Sequence, residues 1–375
     1  MKKVYDKGIL IPAVILCVWG LFMVFNTTRN LALGHRYMLN QILATVLGVI
    51  SFAVILRLPV NFFKKLSVPI YIISVFLLIW VLYSGTGFAE WGARSWIRFN
   101  NFGFQPAEIT KIGFIIFYAA FLSRFHKKIN ELWVMCLAIF LMAVPLSLIM
   151  LQPDFGTAMV YLFIFTMMLL GSGIDKRYIA AAITLFTIIA PVIWLNFDNY
   201  QKDRIYAFLD SSYDLEASGF QVFISKEAIT TSGLWGKGIL RDGSEKFLDV
   251  PENHTDFVFT AITESFGIIG GAAVIILFLF IIYRISKNGS LQTDGFKKFA
   301  LFGFSAMMFS HFFENIAMTM GAVPMTGIPL PFMSYGGTFQ LTNIILIALC
   351  YKFSAREISY TVKKAERQKR KAVIN

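Results

Sequence analysis

Asp256 is the residue best placed to do chemistry. It stands in Pro251-Glu-Asn-His-Thr-Asp-Phe257, where a long polar segment gives way to an apolar run. An acid pressed against apolar surface loses hydration, which favours its neutral form and raises its pKa. A carboxylate whose pKa nears neutrality is a better general base. The structural alternative is that Asp256 caps the helix that follows. Glu264 lies eight residues on, about two turns along the same helix face.

A second group opens another apolar run, Gln105-Pro-Ala-Glu-Ile-Thr-Lys111. The i, i+3 spacing puts Glu108 and Lys111 on one helix face, where they can pair. Pro106 suits a first helical turn. Charges inside apolar runs are costly and point to function by default, with a structural ion pair as the alternative. Asp154, in Gln152-Pro-Asp-Phe-Gly-Thr157, stands at the mouth of a further run, where an N-cap is the ordinary role. Glu314 and Asn315 lie inside a run and predict an inward-facing polar patch. His254 neighbours Asp256, but with His35, His126 and His311 it makes no zinc-like spacing. These residues predict a polar pocket lined by acids and at least one lysine. Such a pocket suits chemistry on a pyrophosphate-linked substrate. It equally suits a proton-coupled transporter.

The elements that must position them are membrane helices. Hydrophobic residues make up 57% of the 375 and charged residues 15%, against roughly 25% charged in a soluble domain. Apolar runs of the roughly 20 residues that a bilayer requires recur at about 8–26, 39–57, 67–84, 108–124, 131–150, 156–172, 178–197, 257–283, 297–320 and 338–353. Lipid offers no partner to an exposed backbone group, so each run must be helical. The fold class is an all-α polytopic membrane protein of about ten spans. About 23 of the 34 Lys and Arg fall in one set of alternate connections, which places that set and both termini in the cytoplasm. The net charge of +12 therefore reflects orientation, with the basic tail Lys363–Lys371 meeting anionic lipid rather than nucleic acid. Cys17, Cys136 and Cys350 lie far apart within runs and read as packing residues.

One large loop outside, at about 198–255 between the seventh and eighth spans, carries many acids (Asp198, Asp203, Asp210, Asp214, Glu216, Glu227, Asp242, Glu245, Asp249 and Glu252). It also holds an apolar stretch, Phe220 to Trp235, that reads as a helix on or in the membrane. A second outside segment, Gly321 to Thr338, is uncharged, with three prolines and four glycines that forbid a regular helix. Apolar yet irregular, it is expected to be re-entrant and to line a cavity.

Five ordered motifs carry a resemblance. They are Gln105–Lys111, Gln152-Pro-Asp-Phe-Gly-Thr-Ala158, Gly236-Lys-Gly238, Pro251–Phe257 and Pro324-Met-Thr-Gly-Ile-Pro-Leu-Pro-Phe-Met-Ser-Tyr-Gly-Gly-Thr338. Together they resemble the SEDS family, the RodA, FtsW and SpoVE group of bacterial peptidoglycan polymerases. The likeness covers about residues 8 to 353 and implies one membrane domain. Gln152-Pro-Asp and Thr326-Gly-Ile-Pro-Leu-Pro look more like RodA than FtsW.

The resemblance implies a multi-pass glycosyltransferase of the bacterial cytoplasmic membrane that joins lipid II into glycan strands on the outer face during cell elongation. Asp256 matches the family's essential acid and is expected to be the general base. Lys111, Arg204 and Lys237 are expected to stabilise the departing pyrophosphate. Glu108 would orient Lys111, while Trp96, Asp154, His254 and Glu264 complete the substrate contacts. No cofactor is implied, with a divalent cation left open, and no metal cage is visible. The expected partners are lipid II, a class B penicillin-binding protein and membrane proteins of the cell-elongation complex. The family's pattern is broken at Thr230-Thr-Ser-Gly233, where glycines are usual, and at Thr263-Glu-Ser265, where two acids are common. The competing readings are a flippase for lipid-linked precursor, a division- or sporulation-type paralogue, and a structural scaffold.

Overall fold

A computed structural model describes residues 2–87, 94–99, 102–195, 199–209, 218–240 and 247–358. Among the described residues a helix occupies each of the ten apolar runs. The N-terminal half holds α1 (Lys7–Thr28), α2 (Gly34–Arg57), a short connector α3 (Val60–Lys65), α4 (Ser67–Ser84), α5 (Pro106–Phe125), α6 (Leu132–Met150) and α7 (Phe155–Gly171). Next come α8 (Lys176–Leu195), then α9 (Asn199–Leu209) and α10 (Ser218–Thr230) within the large loop. The chain ends with α11 (Val258–Ser290), α12 (Gly295–Thr319) and α13 (Gly337–Phe353). Among the described residues, α1, α2, α4, α5, α6 and α11 are long and apolar enough to cross a membrane, and α7 and α13 are shorter apolar helices. Asp198, Asp210, Asp214, Glu216, Asp242, Glu245 and the tail Lys363–Lys371 lie outside the described residues.

Two short strand pairs accompany the helices of this all-α fold. β1 (Lys2–Val4) pairs antiparallel with β4 (Arg356–Ile358), and β2 (Ile97–Phe99) with β3 (Phe102–Phe104). Three-residue strands are too short to show a period of two. The first pair joins the two ends of the chain, so both leave the bundle on one side, as an even number of crossings requires. Asp6 reinforces that join. Its carboxylate caps α1 at Gly8 and accepts hydrogen bonds from Arg284 and Asn288. Those two residues belong to α11, which continues past its apolar run because helical hydrogen bonding does not stop where hydropathy falls.

The centre is built from α5 and α12. Every residue from Pro106 to Leu122 except Ile109 and Ala120 is buried, and α12 is buried over most of its length. A helix covered all round belongs in a core. The charges of Gln105–Lys111 therefore sit inside protein rather than against lipid.

α11 is broken. Gly267 has φ +72°, a left-handed conformation inside a helix, which side chains other than glycine rarely adopt. The strand of loop that follows α10 fills the break. Lys237 N–H donates to the Glu264 carbonyl at 2.8 Å, and Ile268 N–H to the Gly233 carbonyl at 3.0 Å. A Cβ on Gly267 would overlap the Leu234 carbonyl, and one on Gly236 the Ser265 carbonyl. α10 itself docks on protein through the fully buried Ser225, whose hydroxyl meets Thr260 Oγ1 at 2.5 Å and donates to the Thr319 carbonyl at 2.8 Å. The expected helix over Phe220–Trp235 thus ends at Thr230, and Gly233 at φ +65° turns the chain into the break. Gly267→Ala should destabilise the protein by about 1–3 kcal/mol and loosen residues 233–237. Thermal unfolding in detergent and limited proteolysis of that loop would read both effects.

Candidate active site

The non-helical segment between α12 and α13 must find partners for its backbone groups inside the protein. Side chains of the surrounding elements provide them. Asn315 of α12 donates to the Ile328 carbonyl at 2.8 Å and to the Asp256 carbonyl at 2.7 Å. Gln41 of α2 donates to the Ser334 carbonyl and accepts from Gly336 N–H. Ser334 Oγ donates to the Thr255 carbonyl at 2.6 Å, and Tyr335 N–H to the His254 carbonyl at 2.8 Å. Glycines let helices approach its backbone: a Cβ on Gly20 of α1 would overlap the Phe332 carbonyl, and one on Gly156 of α7 would crowd that of Thr326. The re-entrant reading of Gly321–Thr338 thus has a physical counterpart in a segment walled on several sides by helices.

Asp256 is partly buried at the joint of this segment and α11. It does not cap the helix, since the capping position is Phe257 and no side chain serves there. Its Oδ2 instead lies 3.4 Å from where a Cβ on Gly327 would stand. Gly327 has φ +71°, so the wall against the acid is bare backbone. Burial pushes the Asp256 carboxyl up to about 7, the charge of Glu252 adds to this, and Arg204 opposes it. Glu252 shapes the turn from a left-handed φ of +53°, accepting Thr255 and Phe257 N–H on its carbonyl and Thr255 Oγ1 on its carboxylate. Arg204, from α9, donates to the Met325 carbonyl at 3.1 Å. His254 packs against Tyr37 and Tyr335 at 5.3 and 6.0 Å between ring centroids. Burial lowers its pKa, opposed in part by Glu252.

A second cluster forms where α5 meets α12. Lys111 Nζ donates to Glu108 Oε1 at 2.8 Å and lies 2.7 Å from His311 Nε2, with all three residues buried. A lysine ammonium only donates, so His311 Nε2 must accept and its proton sits on Nδ1. Glu314, one turn further along α12, accepts from Ser310 Oγ at 2.6 Å. Asp154 caps α7, accepting Thr157 N–H at 3.0 Å and Thr157 Oγ1 at 2.9 Å. Among the described residues, no group of three or more His, Cys, Asp or Glu could hold a metal ion.

A model of the cell cycle protein family that comprises FtsW, RodA and SpoVE matches residues 7–358. The chain belongs to this FtsW/RodA/SpoVE family. It is 30% identical over 371 residues to a protein from Geobacter sp. (strain M18) named as a probable peptidoglycan glycosyltransferase FtsW, covering 95% of this chain and 99% of that one. It resembles a chain in a solved peptidoglycan synthase complex described as coordinating polymerization and crosslinking, with TM-score 0.80, 25% identity, and 94% and 98% of the two chains covered. The crystal structure of the rod shape determining protein RodA of Thermus thermophilus shares its fold, with TM-score 0.70, 23% identity, and 94% and 97% covered. The chain is thus a multi-pass protein of the bacterial cytoplasmic membrane.

Within this FtsW/RodA/SpoVE chain the predicted site residues other than Trp96 fall into three places. Asp256, His254 and Arg204 meet at the re-entrant segment. Lys111, Glu108 and Asp154 line the α5–α12–α7 junction. Glu264 and Lys237 form a separate clamp, in which the fully buried Glu264 carboxylate accepts Lys237 Nζ at 2.9 Å and Leu248 N–H at 2.8 Å. That clamp ties the large loop to α11 beside the Gly267 break. Trp96 lies apart in the first outside loop, bridged to Thr86, with its ring over Gly103. Sequence reasoning missed His311 as the partner of Lys111, because contact between residues 200 apart leaves no local pattern. A lone histidine inside an apolar run was the available signal. Lys111→Met should lower Tm, because it strands the buried Glu108 carboxylate at a cost of about 3–5 kcal/mol. Adding Glu108→Gln should restore much of that loss, which a double-mutant thermal-unfolding series would measure.

Proposed function

We propose that the chain polymerises lipid II, with Asp256 as general base. The observation that carries the reading is the partly buried Asp256 carboxylate, raised to about 7, against the bare backbone of Gly327. Such an acid is ionised near neutral pH yet basic enough to accept a proton. In this reading the 4-hydroxyl of the acceptor sugar gives its proton to Asp256 as its oxygen attacks the anomeric carbon of the donor. The bond from that carbon to the diphosphate oxygen breaks, and undecaprenyl diphosphate leaves with the electron pair. Preorganised cations stabilise such developing charge, which gives Arg204 and Lys111 their roles. Glu108 and His311 hold Lys111 in place. His254, Asp154 and Trp96 contribute to the substrate cavity, and Lys237 with Glu264 holds the large loop over it.

The names of the relatives support this reading, and the synthase complex supports a transpeptidase partner of the class B penicillin-binding type. We place the chain in cell elongation, on Gln152-Pro-Asp and Thr326-Gly-Ile-Pro-Leu-Pro. A division role is the second reading, favoured by relatives named FtsW. Depletion separates them: rounded cells fit elongation, and undivided filaments fit division. A transporter gains less support. Both breaks among the described residues, at Gly267 and at 321–336, lie in the C-terminal half, whereas inverted repeats would place one in each half.

Purified protein given labelled lipid II should make glycan, and folded Asp256→Asn should make none. Polymer from that variant would remove Asp256 as the base. The rate should rise as pH climbs through about 7 and the carboxyl ionises. Arg204 lowers the Asp256 pKa, so Arg204→Gln should move this acid limb to higher pH. Glu252 raises it, so Glu252→Gln should move the limb lower.

A further inference from the structure

Three rings meet beside the acid. Tyr37 of α2 lies 5.3 Å from His254 and 4.8 Å from Tyr335 between ring centroids, and His254 lies 6.0 Å from Tyr335. The sequence of α2 explains its share. Tyr37, Asn40 and Gln41 stand at i, i+3 and i+4, on one helix face. That face meets the re-entrant segment. Asn40 Nδ2 donates to the Tyr335 hydroxyl at 3.4 Å, and Gln41 holds the backbone of Ser334 and Gly336 on either side. His254 arrives from the end of the large loop, and its carbonyl accepts the Tyr335 N–H at 2.8 Å. Three separate elements thus fix the three rings before any ligand arrives.

The rings are half-buried, unlike the core tyrosines Tyr118 and Tyr161, which are fully covered. They therefore keep apolar surface available at the outer end of the bundle, where burying it against a ligand would be favourable. Burial lowers the His254 pKa, so a neutral imidazole joins the two phenols. The cluster is also tied to the acid. His254 precedes Asp256 by two residues, which span at most about 7 Å of chain. Ser334 Oγ, next to Tyr335, holds the Thr255 carbonyl between them. An aromatic face is negatively polarised. It suits a ligand that is flat, uncharged and edged with polarised C–H groups, as one face of a pyranose ring is.

We propose that Tyr37, His254 and Tyr335 form a stacking platform for a pyranose ring of the acceptor glycan. The proposal rests on the reading of Asp256 as base toward a sugar hydroxyl. It names Tyr37 and Tyr335 as substrate-binding residues. The C–H face of the sugar lies on the rings, and the hydroxyls at its edge stay free to meet the acid.

Chitotetraose, a soluble β-1,4-linked oligomer of N-acetylglucosamine, probes the platform without lipid, diphosphate or turnover. Saturation-transfer NMR on the full-length protein in phosphatidylcholine nanodiscs should show saturable binding, with transfer to the pyranose C–H protons. Removing one ring in Tyr37→Leu should weaken binding by up to about tenfold. Tyr37→Phe, which keeps the ring, should bind as wild type does. Melting temperatures identify the folded variants, and Tyr37→Met replaces Tyr37→Leu if the latter unfolds. Unchanged affinity in the folded ringless variant overturns the platform and leaves the rings as packing for the re-entrant segment. Absence of binding to wild type at millimolar chitotetraose overturns it as well. Sorbitol, a polyol without a ring, should not compete at equal concentration, and competition would replace stacking by hydroxyl contacts alone. Asp256→Asn should bind chitotetraose normally. If that variant also still polymerises lipid II, the base assignment fails while the platform stands.

Discussion

The structure hangs on a requirement that every buried backbone group find a partner. Asn315 shows how it is met. One side-chain amide holds the carbonyl of Ile328, in the irregular segment, and the carbonyl of Asp256, ahead of α11. That single group sets the acid against the segment that walls it. Gln41 and Ser334 do the same from other directions. With these contacts, residues 321–336 can stay non-helical among helices and still hold Asp256 in place. Without them, unsatisfied carbonyls would cost several kcal/mol each, and the acid would have no fixed surroundings.

Two kinds of charge sit in the site and are handled differently. Glu108 and Lys111 are buried as a pair with His311 as a neutral third member, while Glu108 Oε2 and His311 Nδ1 are buried without a hydrogen-bond partner. Among the described residues no cation forms an ion pair with Asp256, and burial raises its pKa instead. The first arrangement fixes geometry. The second leaves a group whose protonation can change during a reaction.

Much of this was legible in the chain. Hydropathy found the long apolar helices, because a bilayer imposes a length and a composition that no other environment does. The i, i+3 spacing found the Glu108–Lys111 pair, because helical neighbours are a local matter. The proline and glycine content of 321–338 exposed the irregular segment. What stayed hidden was non-local. Nothing near Gly267 announces that α11 is interrupted there, since the loop that heals the break comes from residues 233–237. Lys237 and Glu264 suggested a substrate contact and a second acid, but their ion pair clamps the loop to α11. The extension of α11 to Asn288, which grips Asp6, is likewise a tertiary fact.

Gly327 has a consequence for how such a site can diversify. The surface facing Asp256 is main chain, and Gly20 and Gly156 bring helices against the same segment without side chains between them. Backbone has no alphabet. A substitution cannot enlarge, charge or reshape that wall without displacing it, so on this side the acid is closed to gradual tuning, and Glu252 and Arg204 are the side chains that adjust its charge. Diversity among related chains has to be written where side chains do line the space, on α9 and α10, and the same acid can then serve different substrates under a changeable roof.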